Sequence, residues 1–281
     1  MDDDPLSPGL YIVATPIGNL GDLSPRAADV LRRADLIAAE DSRVTAKLLR
    51  HIGAKTPMTP YHDHNGERVR PELIARMKGH AVALVTDAGT PLVSDPGYKL
   101  VRDARAAGHA ITTLPGPCAA IAALTLAGLP SDRFLFAGFL PAKASARDSA
   151  IAELASIRAT LILYESGPRL GATLAALAGR LGAREAAVAR EISKAFEQCV
   201  TGSLADLAAR YAETPPKGEI VILVGPPGEA DAPATEDVET MLREALARLG
   251  PSQAASEVSK ITGQPKRDLY ARALKLQEDD G

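Results

Sequence analysis

The sequence predicts a soluble α/β chain of two lobes, the first built on a mostly parallel sheet and the second on a mixed one, with a small helical module at the C-terminal end. Three observations carry this. Short, wholly apolar runs alternate with helical patterns from residue 10 onward, the grammar of buried parallel strands. The same alternation restarts after Pro130. A stretch rich in Pro, Gly, Ala and acids, residues 225–237, then separates a last strand from a set of short helices.

Taken in order, residues 10–14 form a strand, and Ser24-Pro25 opens a helix carrying Ala28, Val30, Leu31 and Ala34. Pro at the first helical position costs no hydrogen bond, and the Ser hydroxyl caps an amide that would lack a partner. Strands follow at 36–39, 81–86 and 111–114, each apolar enough to be expected inside the sheet rather than at its edge. An Ala-rich helix starts at Cys118, and a Gly-Leu-Pro-Ser turn ends the first lobe near Leu129-Pro130. The second lobe carries strands at 134–139, 161–164, 186–192 and 219–224, with helices at 145–157 and from Pro168. The expected divisions are 1–130, 131–228, a linker at 229–240, and a module at 241–281 with three helices, two opened by Pro251-Ser252 and Pro265.

Composition narrows the function classes. Hydrophobic residues make up 46% of the 281 and charged ones 24%, the balance of a globular chain. The acidic start has no basic and apolar leader, and no apolar run approaches membrane-spanning length, so a cytoplasmic protein without a membrane partner is expected. Cys118 and Cys199 have no zinc-spaced neighbours and are expected to be buried thiols, with no metal centre. A net charge of −3 argues against nonspecific coating of nucleic acid. With aromatics at 4% and no Trp, a broad base-stacking surface is not expected. Residues 251–277 nevertheless carry Lys260, Lys266, Arg267, Arg272 and Lys275 against Glu257 and Asp268, which suits either phosphate contacts or a solvated helical face.

Ligands of open α/β sheets bind beyond the carboxyl ends of the strands, and there this sequence turns to small residues. Thr15-Pro16-Ile17-Gly18 follows the first strand, Asp87-Ala88-Gly89-Thr90-Pro91 the third, and Pro115-Gly116-Pro117-Cys118-Ala119 the next. The second lobe adds Glu165-Ser166-Gly167-Pro168 and Lys217-Gly218-Glu219. Small side chains let the backbone approach a ligand closely. Neither a dinucleotide fingerprint nor a Walker loop is present, which disfavours a dehydrogenase or NTPase. Loops poor in basic residues suit a ligand with an adenine, a ribose and a zwitterionic tail but no phosphate, the description of S-adenosylmethionine.

The longer motifs are Leu10-Tyr-Ile-Val-Ala-Thr-Pro-Ile-Gly-Asn-Leu-Gly-Asp-Leu-Ser24, Glu40-Asp41-Ser42-Arg43, Tyr61-His62-Asp63-His64-Asn65, Asp87-Ala-Gly-Thr-Pro-Leu-Val-Ser-Asp-Pro-Gly97, Leu114-Pro-Gly-Pro-Cys-Ala119 and Phe136-Ala-Gly-Phe-Leu-Pro141. With Tyr164-Glu165-Ser166, Ala189-Arg-Glu-Ile-Ser-Lys-Ala-Phe-Glu197 and Gly218-Glu-Ile-Val-Ile-Leu-Val-Gly225, they resemble the 16S ribosomal RNA cytidine 2'-O-methyltransferases of the tetrapyrrole methylase superfamily. The resemblance implies a homodimer of two-lobed chains that binds S-adenosyl-L-methionine between the lobes. It also implies methylation of a decoding-centre cytidine ribose in 16S rRNA within the small ribosomal subunit. It places the cofactor against Pro16, Ile17, Gly18, Thr90, Val93, Cys118, Ala119, Glu165, Ser166 and Gly218. The superfamily often has Gly-Asp-Pro where this chain has Gly89-Thr90-Pro91, so a hydroxyl or backbone contact is expected there.

A ribose hydroxyl is a poor acid, so methyl transfer to it gains from a base or a cation beside the developing alkoxide. Lys194, between Glu191 and Glu197, is the first candidate, since crowding can push a Lys toward its neutral, basic form; a structural ion pair is the alternative. Arg43 is the second, as a phosphate clamp or orienting cation, or else an ion pair with Glu40 and Asp41. His62-Asp63-His64 has no standard metal spacing and is expected to be a polar loop. The competing functions are a methylase of a tetrapyrrole or other small molecule, and a noncatalytic ribosome-assembly factor that binds RNA.

Overall fold

The computed structural model describes residues 5–228, 235–262 and 264–279. Its first sheet has five parallel strands, β1 (Gly9–Val13), β2 (Leu36–Ala39), β3 (Met58–Pro60), β4 (Ala81–Val85) and β5 (Ile111–Leu114), in the order β3-β2-β4-β1-β5. Side chains of successive strand residues point to opposite faces, and both faces are covered. Ile37, Ala39, Ala83 and Val85 pack with α1 (Pro25–Arg33) and α2 (Ser42–His51). Leu36, Ala38, Val82 and Leu84 pack with α3 (Gly66–Arg76) and α4 (Tyr98–Ala106). Ser24 caps α1 by accepting from the Ala27 amide at 3.1 Å, as the Ser-Pro signal requires.

One strand expectation fails here. β5 lies at the sheet edge, with Thr112 and Thr113 exposed, not in the interior. Its two threonines match the β propensity of a buried strand while tolerating water, so the apolar pattern alone misplaced it. The short edge strand β3 was not anticipated at all; three residues carry too little periodicity to be recognised.

The second sheet is mixed: β6 (Phe134–Phe139) and β7 (Thr160–Ser166) are parallel, while β8 (Glu185–Arg190), β9 (Gln198–Ser203) and β10 (Glu219–Val224) pair antiparallel, in the order β6-β7-β10-β8-β9. One face holds Leu161, Leu163, Ile222 and Val224 against α6 (Ala144–Leu154), α7 (Gly167–Leu181) and α8 (Leu204–Arg210). The other holds Ile162, Ala187, Ala189, Val221 and Leu223 against α5 (Ala119–Ala127). Thus α5, which precedes the expected division near residue 130, packs on the second sheet. Ala120, Ala123 and Leu124 supply the contact. The polar strand β9 escaped the sequence pattern because its six residues include Gln198, Thr201, Gly202 and Ser203.

Beyond residue 228, α9 (Thr235–Leu246), α10 (Pro251–Thr262) and α11 (Lys266–Asp279) enclose their own core of Val238, Leu242, Ala255, Val258, Leu269 and Ala273. The helix therefore begins inside the segment 229–240 expected as linker, of which residues 229–234 lie outside the described residues. Arg158 of the second lobe donates to the Thr262 carbonyl at 3.3 Å. Among the described residues no helix is long and apolar enough to cross a membrane.

Two glycines of α7 separate packing from propensity. A Cβ at Gly171 would meet the Tyr211 carbonyl oxygen at 2.5 Å, whereas Gly179 is exposed with nothing within 4 Å. Gly171→Ala is expected to destabilise by about 1–3 kcal/mol, and Gly179→Ala to stabilise by about 0.5–1 kcal/mol. Urea unfolding of both variants reads the opposite signs.

Candidate functional site

The carboxyl ends of the central strands are laced together before any ligand is considered. Thr15 and Gly89 exchange backbone hydrogen bonds at 2.8 and 3.1 Å, joining the loops after β1 and β4. Gly89 sits at φ +85°, which a side chain would strain. The Thr90 hydroxyl donates to the Pro117 carbonyl at 2.9 Å, tying the β4 loop to the turn that starts α5. The Asp41 amide donates to Asp87 at 3.0 Å and the Asp87 amide to Glu40 at 3.2 Å, a reciprocal clasp between the ends of β2 and β4. Thr90, where acid is common in the superfamily, thus uses its hydroxyl to hold the frame.

These loops and the end of the second sheet bound a cavity of about 400 Å³, within the roughly 300–1,000 Å³ usual for small-molecule sites. Ile17, Thr90, Val93, Cys118, Ala119, Glu165, Ser166 and Gly218 line it, eight of the ten positions expected to meet the cofactor. Pro16 and Gly18 do not. Gly18 lies instead beneath the aliphatic stem of Lys194, where an added Cβ would fall 2.4 Å from Cγ.

Phe139 and Tyr164 supply the aromatic wall, their rings 5.5 Å apart and edge to face. Tyr164 Oη accepts from the Ala120 amide at 3.2 Å, serving the first turn of α5, for which Cys118 gives no side-chain cap. Burial, reinforced by Cys118, pushes the Tyr164 phenol up to about 12. Glu165 has a side chain 1% exposed, and it accepts from the Ser166 amide at 2.8 Å and the Thr173 hydroxyl at 2.7 Å. A buried carboxylate needs such partners.

Sequence reasoning left the cavity's charge unassigned. Glu40, Asp87, Asp95, Glu165 and Glu219 line it, and among the described residues no Lys, Arg or His does. Burial raises Glu40, and the Asp87 amide opposes it; burial likewise raises Asp87. Asp95 is pushed up to about 6 by burial first and by Glu40 next. The local signal was an acid at or just after the ends of β2, β4 and β7, namely Glu40, Asp87 and Glu165.

Both candidate catalytic residues stand outside the lining. Lys194 Nζ donates to Glu191 at 3.1 Å and to Glu219 at 2.9 Å. Burial alone would lower its pKa, but the hydrogen bonds to Glu219 and Glu191 outweigh that and raise it. The expectation of a neutral, basic Lys194 is therefore corrected: two carboxylates stabilise the charged form. Arg43 is 89% exposed and forks onto Asp41, with contacts at 2.6 and 3.1 Å, rather than entering the cavity. Asp41 is held at about 2 by that guanidinium. His62 and His64 form a ring pair at 5.9 Å, and among the described residues no group of three or more His, Cys, Asp or Glu is arranged for a metal ion.

The raised Asp95 pKa has a stability consequence. Because the folded state holds the Asp95 proton more tightly than the unfolded state, the carboxyl costs little stability at and below about pH 4, an increasing amount as pH rises from there to about 6, and a constant amount above. Asp95→Asn is expected to match the wild type at pH 4. At pH 8 its thermal midpoint should rise by about 2–4 °C, for roughly 1 kcal/mol after solvent screening of a half-buried group. Calorimetry across pH 4–8 tests this.

Comparison with known proteins agrees with this geometry. The family model described as Tetrapyrrole (Corrin/Porphyrin) Methylases matches residues 9–208, and that of the RsmI C-terminal HTH domain matches 232–277. "Ribosomal RNA small subunit methyltransferase I" of Erythrobacter litoralis is 58% identical over 98% of this chain and 97% of its own. The protein of the same name from Mesorhizobium japonicum is 49% identical over 99% of this chain and 95% of its own. The crystal structure of uroporphyrin-III C-methyl transferase from Thermus thermophilus, complexed with S-adenyl homocysteine, shares the fold with a TM-score of 0.53 at 22% identity, over 76% of this chain and 96% of that one. The chain belongs to the tetrapyrrole methylase family and, within it, to the ribosomal RNA small subunit methyltransferase I family.

Proposed function

We propose that the chain, as a homodimer in the cytoplasm, uses S-adenosylmethionine to methylate the ribose 2'-hydroxyl of a decoding-centre cytidine in 16S rRNA of the small ribosomal subunit. The observation that carries the cofactor is the cavity lining: among the described residues, five carboxylates, no basic side chain and an aromatic wall. Phosphate would be repelled there, while a cationic sulfonium and an ammonium group are stabilised by nearby negative charge in a site of low dielectric. Bound S-adenosylmethionine supplies an electrophilic methyl group on sulfur.

The residues of this chain orient and enclose. Cys118, Ala119 and Gly218 line the cavity with small residues, and Thr90 fixes the loop that faces it. In-line displacement depends chiefly on such positioning. Lys194 acts as a cation that draws Glu191 and Glu219 together and props the Gly18 loop, so its effect on the cavity passes through those residues. Arg43, exposed at the start of α2, suits a phosphate of the RNA.

The relatives' names supply the small-subunit rRNA, and the C-terminal module favours it over a tetrapyrrole. There Arg267, 95% exposed at the start of α11, is placed for phosphate contact. Exposed Ile121 and Leu126 on α5 and Phe134 on the edge strand β6 give the apolar surface that a second copy would cover.

Incubation with labelled cofactor and small subunits lacking the modification is expected to yield 2'-O-methylcytidine on mass spectrometry of the rRNA nucleosides. A base-methylated product, or none, overturns the assignment. For Lys194→Ala, calorimetry with S-adenosylhomocysteine is expected to show affinity lower by about fivefold to tenfold, on the order of 1 kcal/mol for a partly exposed ion-pair network, with turnover at saturation less affected. Unchanged affinity with lost turnover would instead give the cation a direct part in transfer.

A further inference from the structure

A second cavity, of about 320 Å³, adjoins the first, and among the described residues Asp95 alone lines both. Tyr61, His62 and Arg70 form one side, and Pro96, Tyr98 and Lys99, at the start of α4, form the other. We propose that this second cavity receives the methyl-accepting nucleotide, and that Asp95, at the junction, takes the proton from its ribose hydroxyl. The proposal rests on the reading that the chain methylates ribose in RNA.

The lining matches the parts of a nucleotide. Tyr98, 68% exposed, presents a ring on which an unstacked base can lie. Lys99 is exposed beside it, and Gly97 gives α4 no side-chain cap, so cation and free amides together suit a phosphate. Arg70 is committed to Asp103 at 2.6 Å and shapes the wall. Asp63 and Glu67 also face this space, which keeps its net attraction for phosphate low. The rest of the particle then supplies most of the affinity, to which Lys99 adds a single phosphate contact.

The junction is held with unusual firmness. Leu92 and Ser94 take left-handed backbone conformations at φ 76° and 64°, and Gly97 lies at φ 135° where a Cβ would meet Leu84 at 2.8 Å. Such strain persists only where the surroundings over-determine the loop. The strand ends set the Asp95 environment: Glu40 and Asp87 face it from β2 and β4, and Tyr164 from the second sheet. His62, Asp63, Glu67, Arg70 and Lys99 are the titratable and charged side chains, beside Tyr61 and Tyr98, that line the second cavity with it. Burial among carboxylates gives Asp95 a pKa of about 6, ionised at neutral pH yet basic enough to accept a proton.

The step balances. As the hydroxyl oxygen bonds to the methyl carbon, the carbon–sulfur bond breaks with its electron pair passing to sulfur. The hydroxyl proton passes to the Asp95 carboxylate, which later releases it to water.

The test compares wild type, Asp95→Asn and Lys99→Glu as full-length chains on unmodified small subunits, with circular dichroism verifying the fold. Wild-type kcat is expected to rise with pH and level by about 6, the bound cofactor's positive charge drawing the limb below the free protein's value; Asp95→Asn should lose that limb and fall about 10²-fold or more, the range of a lost general base. Lys99→Glu should raise KM for the particle several-fold with kcat nearly unchanged. Independently of turnover, the Asp95 carboxyl carbon, assigned by its absence in Asp95→Asn, should titrate near 6 by NMR and shift when cytidine monophosphate is added. Retained rate and pH profile in Asp95→Asn beside an active wild type overturns the role of Asp95. A KM unmoved by Lys99→Glu, or no shift with cytidine monophosphate, overturns the nucleotide groove. A wild type that labels no ribose in the small subunit overturns the underlying reading of the reaction instead.

Discussion

The reciprocal hydrogen bonds between Thr15 and Gly89 are the constraint on which the site depends. They fasten the loops of the two adjacent central strands, β1 and β4, at the point where a parallel sheet leaves its loops without neighbours. Every other tie builds on this one. Thr90 reaches from the same loop to Pro117 and so fixes the turn into α5. Since α5 packs on the second sheet, the bond also sets the first sheet's loops against the wall formed by Phe139 and Tyr164. Backbone pairing of this kind holds position without consuming side chains, which leaves the cavity lined by small residues and carboxylates.

The carboxylates work against stability and toward binding. Burial first raises the proton affinity of Glu40, Asp87 and Asp95, and neighbouring carboxylates add to it, Asp87 acting on Glu40, Asp41 on Asp87, and Glu40 and Asp87 on Asp95. An empty cavity bears that cost, and a cationic ligand relieves it. Glu165 is handled differently: Ser166, Thr173 and Arg169 satisfy it, so it stabilises the wall. Functional sites commonly store such conflict between local energetics and the fold. Here it is confined to the ends of β2 and β4 and the loop that follows β4.

Much of the fold was legible. Short, wholly apolar runs located most of the strands, and the Ser24-Pro25 cap located α1. Of the eight expected cofactor positions that line one cavity, Ile17, Thr90, Val93, Cys118 and Ala119 do so because loops after parallel strands lie on one side of the sheet, whereas Glu165, Ser166 and Gly218 join them where β7 ends beside the start of antiparallel β10. The edge position of β5, the strand β9 and the attachment of α5 were not legible. Each is decided by a neighbour distant in sequence, and Thr or Gln in a strand says nothing about which neighbour that is.

The side-chain roles divide in the same way. By itself the sequence determined that loops of small residues would meet at the carboxyl ends of the strands, because strand direction and turn chemistry are local properties. It could not determine that Lys194 would be held charged, since Glu219, twenty-five residues away, decides it through a contact made only in the folded chain. Nor could it place Asp95 at the junction of two cavities. Proton affinity and access depend on the burial and charge that surround a group, and only the tertiary structure assembles those.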